Sequence, residues 1–266
     1  MMGGVGPNVA VGPALVQAAT KIAGPEQILR VIADAPGLGR ICRAYKIVKN
    51  HIRCWRGLMP QVRIIDISVP VETGMFRFPR PDHVTVSITE EGTYEKVKCR
   101  TSRILMGSHS GTHVDAPMHV VRNGQPVDQI ALDALVGRAR MLRIRATPRQ
   151  SIGREAVEAR LIDEPRIILN TGWDRKWATD AYYVDSPKVT EEFAKLLVEK
   201  GVRCLVTDVP LSLEVHNIVL GSGCCQVENV VGLDQVKSDK VYLVALPLKI
   251  KGVDGAPARV IVVEGM

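Results

Sequence analysis

The stretch Gly107-Ser108-His109-Ser110-Gly111-Thr112-His113-Val114-Asp115-Ala116-Pro117-Met118-His119 places three imidazoles and one carboxylate within eleven residues. A buried polar group without a partner costs on the order of 1–3 kcal/mol, so so dense a cluster needs something to offset it. A bound metal ion is the simplest candidate. His109, Gly111, His113 and Asp115 are all odd-numbered. In an extended segment their side chains leave one side of the backbone. His109, His113 and Asp115 then converge, and Gly111 leaves room for an ion. Ala116-Pro117 turns the chain, so His119 returns from a different angle, beside the site more than in its row.

Nitrogen and oxygen donors at this density suit zinc or manganese, and imidazole fits zinc best. With no cysteine in the set, the donors are not those of a structural zinc knot. Imidazoles and carboxylates with room for water make a site of catalytic type. Of the remaining histidines, His51 lies in a basic arm and His83 in a Pro-rich turn, and both read as ordinary surface or core residues. His216 and Glu228-Asn229 flank Gly221-Ser222-Gly223 and are placed to return to the same pocket. Cys224 and Cys225 read as packing residues, with a role as soft ligands the lesser alternative.

The elements that must position these groups are mostly strands. Residues 62–69 read as a strand ended by Pro70, and 84–88 and 96–105 alternate as strands do. Residues 126–136 read as a short helix, 139–145 as a strand, 153–161 as a helix and 166–170 as a buried strand. Thr190 caps a helix to about Lys200, with Phe193, Leu196 and Leu197 inward and Gly201 just past its end. Strands follow at 202–207, with Asp208 at the exit, and at 240–246 and 259–263. Strands outnumber helices without strict alternation, which argues for a mixed α/β domain and against a doubly wound Rossmann sheet. No G-x-G-x-x-G or P-loop is present.

Charge and composition narrow the function classes. Of the net charge of +7, residues 1–60 contribute +6, so the body is nearly neutral and no nucleic-acid surface is expected on it. No apolar run reaches the ~20 residues that span a bilayer. Six cysteines without C-x-x-C spacing do not make a disulfide framework, and a reducing, cytoplasmic setting is expected. Residues 1–60 form a basic N-terminal extension, helical around 25–35 and 40–50 or mobile. Met59 is an alternative start. Residues 61–266 are the expected catalytic domain.

His109-x-Gly111-Thr112-His113-x-Asp115-x-Pro117-x-His119 resembles the signature of the cyclase family, which includes bacterial kynurenine formamidases and isatin hydrolases. The resemblance runs over about 64–263. It takes in Ile65-Asp66-Ile67-Ser68, Leu169-Asn170-Thr171-Gly172-Trp173, Asp208-Val209-Pro210, His216 with Glu228-Asn229, Ala245-Leu246-Pro247-Leu248-Lys249 and Asp254-Gly255-Ala256-Pro257-Ala258-Arg259. It implies a swivelling β/β/α fold with a mixed, β-rich core, assembled as a homodimer or homotetramer. It implies one or two zinc ions, with manganese the alternative. His109, His113 and Asp115 would hold the first ion. Asp115 as a bridge, with His216 and Glu228, would hold the second, and His119 would be the general acid/base.

The activity so implied is metal-dependent hydrolysis of an amide C–N bond. N-formyl-kynurenine, converted to kynurenine and formate in tryptophan catabolism, is the first substrate expectation. A hydrolase or cyclase acting on a cyclic amide or ester is the second, and a non-catalytic metal- or metabolite-binding protein the third. The chain departs from the family pattern at Val120, where an aromatic is common, at Arg80, where many members have Gly, and at Leu211, which replaces a Ser. These departures fall where substrate would be read. Phe76, Phe78 and Trp173 are the candidates for stacking an aryl ring.

Overall fold

The computed structural model describes residues 61–266 except 159 and 161. The extension at 1–60, with its expected helices, His51 and the alternative start at Met59, lies outside the described residues.

Twelve strands occur among the described residues: β1 (Arg63–Asp66), β2 (Ser87–Gly92), β3 (Thr101–Leu105), β4 (His113–Asp115), β5 (Val136–Arg143), β6 (Ser151–Ile152), β7 (Arg166–Asn170), β8 (Lys188–Val189), β9 (Cys204–Thr207), β10 (Cys225–Glu228), β11 (Lys240–Pro247) and β12 (Gly255–Glu264). Two nine-residue helices, α1 (Glu191–Glu199) and α2 (Leu213–Gly221), stand beside them. Eight strands form one sheet in the order β1-β12-β11-β5-β7-β9-β10-β4. β4 also pairs with β12, which closes the sheet into a barrel. β12 presents one edge to β11 and its other edge first to β4 and then to β1.

The stretch from β5 through β7 and β9 to β10 is parallel. Parallel strands are covered on both faces and read as continuous apolar runs; all five residues of β7 are buried. Met141, Ile168, Val206, Val227, Val114, Leu243 and Val262 cluster inside the barrel. The alternate residues Leu142, Ile167, Leu169 and Leu205 face outward, where Phe193 and Leu197 of α1 and Val215 and Val219 of α2 cover them. Both helices start on a hydroxyl cap: Thr190 Oγ1 accepts from Phe193 N (3.3 Å) and Ser212 Oγ from Val215 N (3.4 Å). Gly201 takes φ +70° just beyond α1.

Asp208 leaves β9 fully buried. Its carboxylate accepts from the backbone N–H groups of Thr171 (3.0 Å), Gly172 (2.8 Å) and Trp173 (3.1 Å) and from the Thr171 hydroxyl (2.8 Å). This anchors the turn that follows β7.

Several expected elements are shorter or shifted. Residues 126–136 hold a 3-10 turn (Val127–Gln129) and one helical turn (Leu132–Leu135), and the strand takes over at Val136, where Val244 of β11 offers a pairing partner. The helix expected over 153–161 is a single turn, Glu155–Glu158. In 96–105 the strand begins only at Thr101, because Tyr94–Val97 forms a helical turn ended by Lys98 at φ +62°. β12 starts at Gly255 instead of 259, since pairing with β4 extends it. Among the described residues no helix is long and apolar enough to cross a membrane.

Candidate metal centre

β4 is three residues long and turns Val114 into the barrel, so His113 and Asp115 share its outer face. On one side, β10 sets Glu228 opposite His113 and Gln226 opposite Asp115. On the other, β12 sets Gly255 opposite Asp115. A Cβ at Gly255 would lie 3.0 Å from His109 Cε1 and 2.8 Å from the Val114 carbonyl oxygen, so the missing side chain is what lets the His109 ring lie over this strand. His216 comes from α2.

The odd-number alternation holds for His113 and Asp115 but is not what places His109. Residues 108–112 form a turn, with Gly111 at φ +62°, and His109 reaches the cluster from it. Three contacts fix that turn. Gly111 O accepts from Asn229 Nδ2 (3.0 Å), Thr112 Oγ1 donates to Asn229 O (2.7 Å), and the same hydroxyl accepts from Val69 N (2.8 Å). Asn229 follows Glu228 directly, so the loop carrying His109 is tied to the strand carrying Glu228.

The five residues expected as ligands come together. His109 Nδ1 lies 2.7 Å and His113 Nε2 3.1 Å from Asp115 Oδ1. His216 Nε2 lies 3.6 Å from Asp115 Oδ2 and 3.2 Å from Glu228 Oε1. In each triad, His109/His113/Asp115 and Asp115/His216/Glu228, one donor atom per residue falls within 4.8 Å of the others. His113 Nδ1 donates to Gly111 O (2.9 Å) and His216 Nδ1 to Ser212 O (2.8 Å). A carbonyl can only accept, so in both rings Nδ1 carries a proton and Nε2 is the atom turned to the carboxylates. Asp115 is fully buried, yet its Oδ2 has no hydrogen-bond partner, and neither has Glu228 Oε1. Buried carboxylate oxygens without a partner, set beside imidazole nitrogens, are what a divalent cation satisfies, so these residues fit a metal.

The electrostatics agree. Burial works against a charged imidazole at His109, but hydrogen bonds to Asp115 and Asp254 outweigh it and raise its pKa to about 10. At His216 the charges of Glu228 and Asp115 likewise outweigh burial and raise it to about 11. Asp115 is held well below the usual carboxylate range: burial opposes this, and the charge of His113 with hydrogen bonds from His109 and His113 overcomes it.

His119 ends a 3-10 turn (Pro117–His119) and is partly open to solvent. Its ring centroid is 4.1 Å from that of His109 and 5.5 Å from that of His216. Its Nδ1 lies 3.3 Å from Asp254 Oδ2, the same oxygen that lies 2.8 Å from His109 Nε2. Asp254 is a site residue that local spacing does not reveal. Its only sequence signal is its place in Asp254-Gly255-Ala256-Pro257.

The aromatic surroundings also differ from expectation. Trp173 is a core residue whose indole N–H donates to Tyr182 O (3.0 Å). Phe76 stacks on Tyr183 with centroids 5.2 Å apart, and Tyr183 meets Phe78 edge-on at 4.9 Å. Phe78 lies 5.3 Å from His83, which lies 6.4 Å from His109. His83, unremarkable by sequence, thus joins a wall of rings to the centre. Arg80 pairs with Asp82 (2.9 Å) on an exposed turn, and Leu211 packs among the outer apolar residues. Cys224 and Cys225 are free and buried.

Residues 65–212 match the family described as "Putative cyclase". Over 208 residues the chain is 31% identical to a kynurenine formamidase of Bacillus cereus, covering 74% of this chain and 96% of that protein. A solved structure described as a potential metal-dependent hydrolase with cyclase activity is similar at 26% identity with a TM-score of 0.63, covering 76% of this chain and 98% of that one. Isatin hydrolase A from Labrenzia aggregata shares the fold, with a TM-score of 0.69 at 24% identity over 77% of this chain and 94% of that one. With a mixed α/β, β-rich barrel fold and more than half its length matched, the chain belongs to the cyclase family.

Proposed function

We propose that this protein is a metal-dependent hydrolase cleaving the C–N bond of an aryl amide, with N-formyl-kynurenine as its first substrate. The observation that carries this reading is Asp115, a fully buried carboxylate whose Oδ1 faces His109 and His113 and whose Oδ2, without a hydrogen-bond partner, faces His216. His109 Nδ1, His113 Nε2 and Asp115 Oδ1 would hold one ion, and Asp115 Oδ2, His216 Nε2 and Glu228 Oε1 a second. The donor chemistry favours zinc, with manganese the alternative. When bound, a divalent ion lowers the pKa of water towards about 7 and polarises a carbonyl oxygen.

The chain's own groups do the rest. Asp254 Oδ2 accepts a hydrogen bond from His119 Nδ1–H, which leaves His119 Nε2 as the nitrogen that exchanges protons. That nitrogen accepts a proton from the attacking water and returns it to the amide nitrogen as the C–N bond breaks. The return matters because an amide anion is a poor leaving group. The new C–O bond and the transferred proton leave formate and an aryl amine. Phe78, Tyr183 and His83 offer faces and edges for the aryl ring. The family resemblance further supports a homodimer or homotetramer with residues 61–266 as the hydrolase domain, and the sparse cysteines support a cytoplasmic setting.

The test is to strip the protein of metal and assay N-formyl-kynurenine and a formanilide beside lactams and lactones. Activity on the formamides should vanish and return with zinc or manganese. Full activity without metal would overturn the reading, and turnover confined to the cyclic substrates would move it to ring opening.

A further inference from the structure

Among the described residues, five buried side-chain atoms have no hydrogen-bond partner: Asp115 Oδ2, Glu228 Oε1, Gln226 Nε2, Gln226 Oε1 and Arg166 Nε. Four of the five belong to residues on one face of the paired strands β4 and β10. Gln226 stands directly opposite Asp115 and two positions before Glu228. Residues two apart on a strand leave the same face, and directly opposed residues have Cβ atoms about 4.5–5.5 Å apart. The Gln226 side chain therefore starts beside that of Asp115. Its neighbour on the other side is Leu205 of β9, and α2 packs over β10 with Val215 and Val219 inward. Gln226 is fully buried. On this face Asp115 stands opposite it and Glu228 two positions along its own strand, with His216 beside both carboxylates.

A neutral amide buried with both ends unpaired is costly, and the neighbouring positions Leu205 and Val227 show what this part of the sheet otherwise takes. Resting on the metal reading above, we infer that Gln226 supplies a further oxygen, its amide Oε1, to the ion position framed by Asp115, His216 and Glu228. The two positions then differ in kind. The first has two imidazoles and one carboxylate. The second has three oxygen donors and one imidazole. Oxygen-rich sites favour manganese and imidazole-rich sites favour zinc, so the second position is the more manganese-selective of the two.

The experiment titrates the metal-depleted full-length protein with Mn²⁺ and, separately, Zn²⁺, followed by calorimetry and native mass spectrometry. Wild type should take two ions. Gln226→Met keeps the side chain's length without its amide. It should bind the first ion unchanged and the second about 10–100-fold more weakly, with the larger loss for manganese. Gln226→Glu should retain the second ion. Metal-free Gln226→Met should melt no lower than metal-free wild type, because two unpaired polar atoms are gone, and this shows that the variant folds. Unchanged affinities in Gln226→Met, loss of the second ion in Gln226→Glu as well, or a wild type that takes a single ion would each overturn the inference while leaving the hydrolase reading intact. A wild type that takes no metal would overturn that reading itself.

Discussion

Asp208 and Asp115 are both fully buried carboxylates, and their surroundings are opposite. Three backbone N–H groups and a hydroxyl converge on Asp208, so its charge is spent in holding the turn after β7. Asp115 meets imidazoles and keeps one oxygen unpaired. Burial alone thus says little about what a carboxylate does. The nature of its donors separates a structural anchor from a group awaiting a cation.

This contrast can be broken most directly at Asp115. Asp115→Asn should abolish uptake of both ions and bring turnover to the metal-free level. Two ions retained at full affinity would erase the distinction. His119→Ala should lower kcat by about 10²–10⁴-fold while metal content stays constant, as measured by steady-state kinetics beside metal analysis. The pH dependence of metal uptake follows from His109 and His216. Their pKa values, about 10 and about 11, leave both protonated at neutral pH in the metal-free protein. A metal needs their lone pairs, so uptake near pH 7 should release about two protons. Affinity should then rise about 100-fold per pH unit; calorimetry in buffers of different ionisation enthalpy reads this directly.

Two smaller effects sharpen the comparison. Asp254→Asn weakens the partner of both His109 and His119 and should cost about 10–100-fold, falling on kcat more than KM and shifting the pH profile of kcat. Asp208→Asn replaces an all-acceptor group by an amide whose NH₂ faces donors. It should lose about 1–3 kcal/mol of stability to denaturant with metal stoichiometry unchanged.

What the sequence discloses follows from how local each cause is. His113 and Asp115 are two apart on a strand, so simple alternation places them together. His109 belongs to the same cluster for a different reason, the turn at Gly111, and only its nearness in sequence makes the alternation argument succeed there. His216 and Glu228 were legible through the pattern around them. Asp254, Gln226 and His83 were not, because barrel closure and strand register bring them to the site and neither leaves a mark in a short window. The fold behaves alike. The buried run of β7 and the Thr190 cap of α1 are local signals, whereas the extra length of β12 and the early start of β5 depend on which strands lie alongside.

The shared edge of β12 has a kinetic consequence. His109 and Asp254 meet across 145 residues of chain, and the strand that follows Asp254 is the one that seals the barrel against β4. Closing so long a loop is entropically slow compared with forming neighbouring turns. The centre should therefore be among the last features to mature during folding. Premature capture of metal by a half-built cluster is disfavoured, and an ion that arrives after closure acts as a latch on the finished seam.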